Sequence, residues 1–237
     1  MVDNDLRPIS EILPQDIVVC GFPRSGHTWF QNLLAGVVFG IDPELAHDSL
    51  IQDLVPDVHY KRWYKRYGPT AFFKSHALPH REYRRIVYLL RDGRDVMVSY
   101  YHFLSALQGR VDFLKLVQTE RWHDHVERWH ANPHGAEILV VRYEDLQTSP
   151  VEQLRRFCVY AGLQREDSHL ERIANQAAFA KAQAKERTQG WDNQAWPRDK
   201  PFIRRGQVGN WRDEMPSAVL DAFLKIAEPT LQRFGYV

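Results

Sequence analysis

Four short apolar runs, DIVVCGF (16–22), TAFFKSH (70–76), RIVYLLR (85–91) and EILVVR (137–142), are set apart by stretches long enough for helices. Their length and β-branched content favour buried strands over short helices. Helical patterns occupy 28–39, closed by Gly40, then 44–55, 93–107, 111–131, 150–162, about 166–186, and 216–234, which opens on Pro216. Strands alternating with helices predict an α/β fold, with a mainly parallel central sheet flanked by helices. No internal repeat or low-complexity linker divides the chain, so residues 1–237 read as a single domain. The exception to the alternation is 187–210, RTQGWDNQAWPRDKPFIRRGQVGN, which is polar, rich in Gly, Pro and Trp, and without a usable period. A long segment of that kind inside a compact domain is usually functional or disordered.

A formal net charge of +1 gives no overall field toward nucleic acid or an anionic membrane, so any anion site must be built from local clusters. Cys20 and Cys158 sit in apolar stretches and form no disulfide framework, which points to a reducing cytoplasm. The start MVDNDLRPIS has neither the basic nor the apolar region of a secretory signal. No apolar run approaches the roughly 20 residues that span a bilayer. These features predict a cytoplasmic protein with no nucleic-acid or membrane partner.

The first strand runs into CGFPRSGHTWF (20–30), a P-loop-like strand–loop–helix. The nucleotide-triphosphate pattern is G-x-x-x-x-G-K-[ST]. Gly21, Gly26 and Thr28 keep its places, but His27 stands where the lysine belongs. Backbone N–H groups at a helix N-terminus bind phosphate well, although a tight turn made by Gly26 explains the pattern alone equally well. The missing lysine argues against a kinase or ATPase, because that lysine reaches the β- and γ-phosphates. The apolar runs IVYLL and ILVV end in Arg91 and Arg142, where a magnesium-holding aspartate would otherwise be expected. The site reads as one for an anion without a metal.

Further clusters repeat this chemistry. Lys74 and His76, two apart on a strand, point to one side of the sheet at its carboxyl end, where open α/β sheets place ligands. RDGRDVMVSYYHF (91–103) sets Arg91 before a turn, Gly93 in it and Ser99 in the following helix. RRGQVGNWR (204–212) pairs two arginines, whose forks suit phosphate, with a glycine that lets backbone approach a ligand. His123 and His125 do not share a helix face, so they make a poor metal pair, and Trp122 and Trp129 fit a packed face better. The basic, aromatic YKRWYKRYG (60–68) reads as a solvated helix end rather than a nucleic-acid surface.

Together these segments resemble the sulfotransferases that use 3′-phosphoadenosine 5′-phosphosulfate (PAPS). PRSGHTW is similar to that family's 5′-phosphosulfate loop, KSH to its Lys-Thr-His strand, and RDGRDVMVSYYHF to its first 3′-phosphate segment. WHDHVERW resembles a structural helix, RYEDL a Tyr-Glu-Asp stretch and RRGQVGNWRDEM the C-terminal Arg-Lys-Gly loop. The segments occur in family order from about residue 17 to 215. The resemblance implies that Arg24, Ser25, Gly26, His27, Thr28 and Trp29 hold the 5′ end of the nucleotide. Arg91, Ser99, Arg204, Arg205 and Gly206 would hold the 3′-phosphate, and Tyr143 and Phe179 bound the nucleotide. His76 would be the general base, with Lys74, Arg24 and Ser99 beside it at the reacting group. PAPS would be co-substrate and PAP (adenosine 3′,5′-bisphosphate) the product, with no metal required.

The chain departs from the family pattern at several points. Arg24 replaces the loop lysine, His27 a loop threonine, Asn210 an aspartate and Met215 an aromatic, while Ala177 and Ala178 precede Phe179 where hydroxyls are common. The family's dimerisation segment is not found after Met215, which leaves the oligomeric state open. The acceptor reads as a small molecule whose identity the sequence does not show, although Tyr100, Tyr101, Phe103, Phe22 and Phe72 are candidates for an aromatic pocket. The rival readings are a P-loop kinase and a non-catalytic nucleotide-binding module.

Overall fold

Parallel strands buried on both faces need nearly continuous apolar residues; of the four apolar runs, residues 17–20 and 86–90 supply them, whereas 137–142 is mostly exposed or half-buried. In the computed structural model, which describes residues 6–191, 193 and 196–237, those runs form one parallel sheet. Residues 1–5 of the amino-terminal stretch, and residues 192, 194 and 195 of the aperiodic segment, lie outside the described residues. A small antiparallel pair joins β1 (Leu6–Pro8) to β3 (Trp63–Lys65). The main sheet has the order β4-β2-β5-β6, from β2 (Ile17–Cys20), β4 (Phe72–Ser75), β5 (Arg85–Leu90) and β6 (Glu137–Arg142). In register, Val19 lies between Lys74 and Val87, and all three pairings are parallel. The strand order reverses at β2, and in open α/β sheets the ligand crevice lies at such a reversal, beyond the carboxyl ends of the strands.

Helices cover both faces. They are α1 (His27–Phe39), α2 (Asp48–Leu54), α3 (Gly93–Gln108), α4 (Phe113–Thr119), α5 (Trp122–Ala131) and α6 (Tyr143–Thr148). Then follow α7 (Pro150–Ala161), α8 (Asp167–Gln176), α9 (Phe179–Gln189), α10 (Trp211–Glu214) and α11 (Ser217–Arg233). Alternate strand residues feed two cores. Val18, Cys20, Ile86 and Tyr88 pack with Met97, Trp122 and Phe223 from α3, α5 and α11. Ile17, Val19, Val87 and Leu89 pack with Phe30, Leu33, Phe157 and Ile173 from α1, α7 and α8.

Several elements differ from the sequence reading. The pattern over 111–131 is two helices, because the backbone turns extended at Glu120 and lets Trp122 sink beneath Gly93, where an added Cβ would overlap the indole. The pattern over 166–186 breaks at Ala177 and Ala178, which turns Phe179 toward the sheet end, and α9 runs on to Gln189. The helix expected over 44–55 starts later, at Asp48. Residues 63–65, read as part of a solvated helix end, are strand β3, in which Tyr64 is buried while Trp63 stays exposed. The short helices α6 and α10 had no periodic signal.

Candidate functional site

A cavity of about 750 Å³ opens beyond the carboxyl ends of β2 and β4. It is lined by Arg24, Gly26, His27, Thr28, Trp29, Lys74, His76, Arg91, Ser99, Tyr143, Phe179, Arg204, Arg205 and Gly206. Residues scattered from 24 to 206 in sequence therefore meet in one space. Ser25 does not line it: this residue is buried, and its N–H donates to Phe22 O (3.2 Å), closing the turn.

The turn into α1 is built on positive backbone angles. Arg24 has φ 71° and Gly26 φ 104°, and a Cβ on Gly26 would press into the Tyr143 ring. That turn aims the first turn of α1, with its free N–H groups, into the cavity. Arg24 Nε donates to Ser99 Oγ (3.2 Å), and its guanidinium lies 4.7 Å from the Phe103 ring centroid and 5.2 Å from that of Phe202. Burial, with Arg91 and Arg204 nearby, lowers its pKa to about 10, which keeps it charged at neutral pH. Arg91 donates to Arg24 O (3.3 Å) and Gln207 O (3.2 Å), with its guanidinium 4.1 Å from the Tyr143 ring centroid.

A second wall is aromatic. Trp29 Nε1 donates to Ala177 O (2.8 Å), and its ring meets Tyr143 edge-on at 5.6 Å. Tyr143 Oη donates to Gly206 O (3.1 Å), and the Phe179 ring covers Gly206, which has φ 62° and no room for a Cβ. Trp29, Tyr143 and Phe179 thus give one side of the cavity a wall of rings that are themselves held in place.

The end of β4 brings a cation and an imidazole to the cavity. Lys74 Nζ lies 3.0 Å from Asp57 Oδ2. His76 Nδ1 donates to Gly21 O (2.9 Å), so the neutral imidazole leaves Nε2 bare as an acceptor. Burial, and the charge of Lys74, lower the His76 pKa to about 4. Its ring lies 4.3 Å from that of His27, edge-on. Both nitrogens of His27 are buried and have no partner among the described residues, although the residue lines the cavity. Buried polar groups are rarely left so, which makes His27 a candidate for contact with a ligand.

Supporting residues went unseen in the sequence. Segment 55–60 pairs alongside β4, through Lys74 N to Pro56 O (2.9 Å) and Val58 N to Lys74 O (3.0 Å). It thereby brings Asp57 to Lys74, and it brings His59 Nε2 to accept from His76 N (3.1 Å). His125, read only as packing, donates from Nε2 to His76 O (3.2 Å) and accepts Tyr88 Oη at Nδ1 (2.9 Å). One turn on, Trp129 Nε1 holds Ala77 O (3.1 Å), so α5 clamps the exit of β4. Asp95 accepts from Gly209 N (2.7 Å) and Trp211 N (3.0 Å), which anchors the glycine-rich loop after Arg205. The i,i+4 spacing of His125 and Trp129 was the one available signal; the others depend on pairings distant in sequence.

Of the aromatics considered for an acceptor pocket, Tyr100 and Phe103 line the cavity. Phe22, Phe72 and Tyr101 do not: Phe72 packs on Phe39 and Phe157, Tyr101 stacks on Phe113, and Phe22 lies against His125. Phe22 and Phe72 are core residues, and Tyr101 is half-buried against the core. The aperiodic 187–210 segment contributes Trp191, Trp196 and Phe202, with Trp196 stacked on Phe103 and Trp191 on Phe202.

A family profile described as the sulfotransferase domain matches residues 14–235. The chain is similar to rat sulfotransferase 1C2, with 25% identity over 248 residues that cover 90% of this chain and 82% of that protein. Among solved structures, retinol dehydratase in complex with androsterone and PAP superposes with a TM-score of 0.71 at 20% identity, covering 92% of this chain and 81% of that one. Mouse sulfotransferase SULT7A1 complexed with PAP gives a TM-score of 0.67 at 19% identity, covering 92% and 85%.

Proposed function

The chain belongs to the sulfotransferase family, and from that premise we propose that its cavity transfers a sulfuryl group from PAPS to the hydroxyl, or less favourably the amine, of a small molecule. One observation carries the assignment of residues: His76, its Nδ1 committed to Gly21 O, presents Nε2 beside Lys74 and against the partnerless His27 at the start of α1. A base, a cation and an anion-binding helix end thus meet at one point.

The donor supplies a sulfur–oxygen bond to phosphate that breaks as a bond from sulfur to the acceptor oxygen forms. His76 Nε2 takes the acceptor's proton during that attack. Lys74 and Arg24 stand as fixed cations for the charge that grows on the departing phosphate oxygen. The α1 N–H groups and His27 hold the 5′ end. Arg91, Ser99, Arg204, Arg205 and Gly206 hold the 3′-phosphate, while Trp29, Tyr143 and Phe179 flank the base. Gly26 and Gly206 support this fit, since a Cβ at either would displace the Tyr143 or Phe179 ring read as flanking the base.

We place the enzyme in the cytoplasm, a reading supported by two buried free cysteines. Among the described residues no helix is long and apolar enough to cross a membrane. PAP should raise the melting temperature without divalent metal, by mass action on the folded state, and ATP with Mg²⁺ should raise it much less. PAPS-dependent sulfation across an acceptor library would establish the activity. Stronger stabilisation by ATP–Mg²⁺, without sulfation, would replace this reading with a kinase.

A further inference from the structure

The arginine pair already has an anion of its own. Glu214, at the end of α10, lies 2.6 Å from Arg204 Nη1 and 3.2 Å from Arg205 Nη1. His102, one turn beyond Ser99 on α3, brings Nε2 to 2.7 Å from the same carboxylate. The Glu214 side chain is only 12% exposed. Burial acts to raise its pKa, but Arg204, His102 and Arg205 outweigh that and hold it below the ordinary carboxylate range. Arg204 and Arg205 line the cavity, whereas Glu214 stands behind them.

A 3′-phosphate reaching these arginines must either draw them from Glu214 or share them with it. In both cases two negative charges compete for two guanidiniums, beside a carboxylate that is itself mostly buried and so less screened than a surface group. The opposing effect is preorganisation, because Glu214 also keeps the arginine side chains in place. Charge should prevail: an ionised neighbour acts on the whole phosphate, while the arginines are also braced by the loop that Asp95 anchors. We propose that Glu214 is an internal counter-anion that limits the grip of Arg204 and Arg205 on a 3′-phosphate, and that His102 retains the carboxylate when the phosphate takes the arginines. This rests on the reading of those arginines as the 3′-phosphate site. Its use would lie in product release, since PAP carries the same 3′-phosphate as the donor and must leave in every cycle.

Calorimetric titration of the full chain with PAP and with 5′-AMP tests this, since 5′-AMP lacks the 3′-phosphate. Glu214→Gln should bind PAP about tenfold tighter, with 5′-AMP unchanged. His102→Ala should weaken PAP several-fold and again leave 5′-AMP alone, because the displaced carboxylate then has no partner. Weaker or unchanged PAP binding by Glu214→Gln would mean that Glu214 only positions the arginines, and would overturn the proposal. If melting curves show that the glutamine variant does not fold, His102→Ala decides by itself, and unchanged or tighter PAP binding there overturns the proposal. The underlying site has its own control: wild-type protein that binds PAP no better than 5′-AMP would refute the 3′-phosphate reading itself.

Discussion

In the part of the cavity read as the nucleotide site, the chain is shaped by backbone bends and a helix start. Gly26 and Gly206 turn the chain where no side chain fits, and α1 begins at the cavity wall. Other parts of the cavity wall are assembled from side chains that meet only in the folded chain. Tyr60, Gln52 and His47 come from the region around α2, Tyr100 and Leu107 from α3, and Trp191 from the segment after α9. Long-range ties hold those parts together. Lys181 meets Glu44 at 2.6 Å, Gln176 donates to Asp42 (2.7 Å), Lys185 donates to Pro43 O (3.1 Å), and Glu186 accepts from Ile203 N (2.8 Å). The part read as the nucleotide site thus takes its turns from local rules, although Arg24, Trp29 and Tyr143 are held by partners distant in sequence, while the part read as the acceptor wall rests on tertiary contacts throughout. His76 stands between the two.

Removing His76 separates chemistry from binding most sharply. His76→Ala should cut turnover by roughly 10²- to 10⁴-fold, the usual scale for a general base, with PAP affinity nearly unchanged. Steady-state rates and a PAP titration on the same protein test both halves. Near-normal turnover would move the search for a base to a neighbouring carboxylate, with Asp57 first.

The nucleotide part should answer in the opposite way. Arg204→Ala combined with Arg205→Ala should weaken PAP by about 100-fold, as expected for the loss of charge-assisted hydrogen bonds. The melting shift produced by PAP should largely vanish. Retention of most of that shift would place the 3′-phosphate elsewhere. His27→Ala should cost about tenfold in PAP affinity, more than it costs in turnover, because a partnerless buried imidazole at the start of α1 serves the anion. A larger loss in turnover than in affinity would instead put His27 with His76 in the proton transfer.

How much of this was legible follows the same division. The strand runs, the loop at Gly26 and the arginines before Gly206 could be read because each depends on neighbours within a few residues. Phe179 could be read only by resemblance, since what turns it inward is the break at Ala177 and Ala178. Asp57, His59 and Glu214 were not legible. Their partners Lys74, His76 and His102 lie in other elements, and no local pattern marks a carboxylate that will meet a cation across a sheet edge or between helices. Splitting 111–131 into two helices likewise depended on Trp122 finding its place under Gly93. Periodicity alone runs straight through such a break.

The smallest expected effect is a rate that hardly changes. An ordinary histidine with a pKa of about 6.5 would be mostly protonated one unit below it, and a base in that state has lost about nine-tenths of its active form. Burial and Lys74 hold His76 near a pKa of about 4, so it should remain neutral well below that point. The value of kcat/KM, which reports the free enzyme, should therefore stay within about twofold from pH 7.5 to 5.5, with its acid limb further down. The fold sets a limit on the same experiment. His27, His76 and His125 all have pKa values lowered by burial, so the unfolded chain takes up more protons than the native one once the pH drops below about 6.5. Stability is then lost as the pH falls from there toward about 4, the value to which both His76 and His125 are held. Rates at each pH should accordingly be referred to the folded fraction, followed by circular dichroism. A midpoint at or above 6.5 in kcat/KM on fully folded protein would mean that the titrating base is not the buried His76, and the boundary between the two parts of the cavity would have to be redrawn.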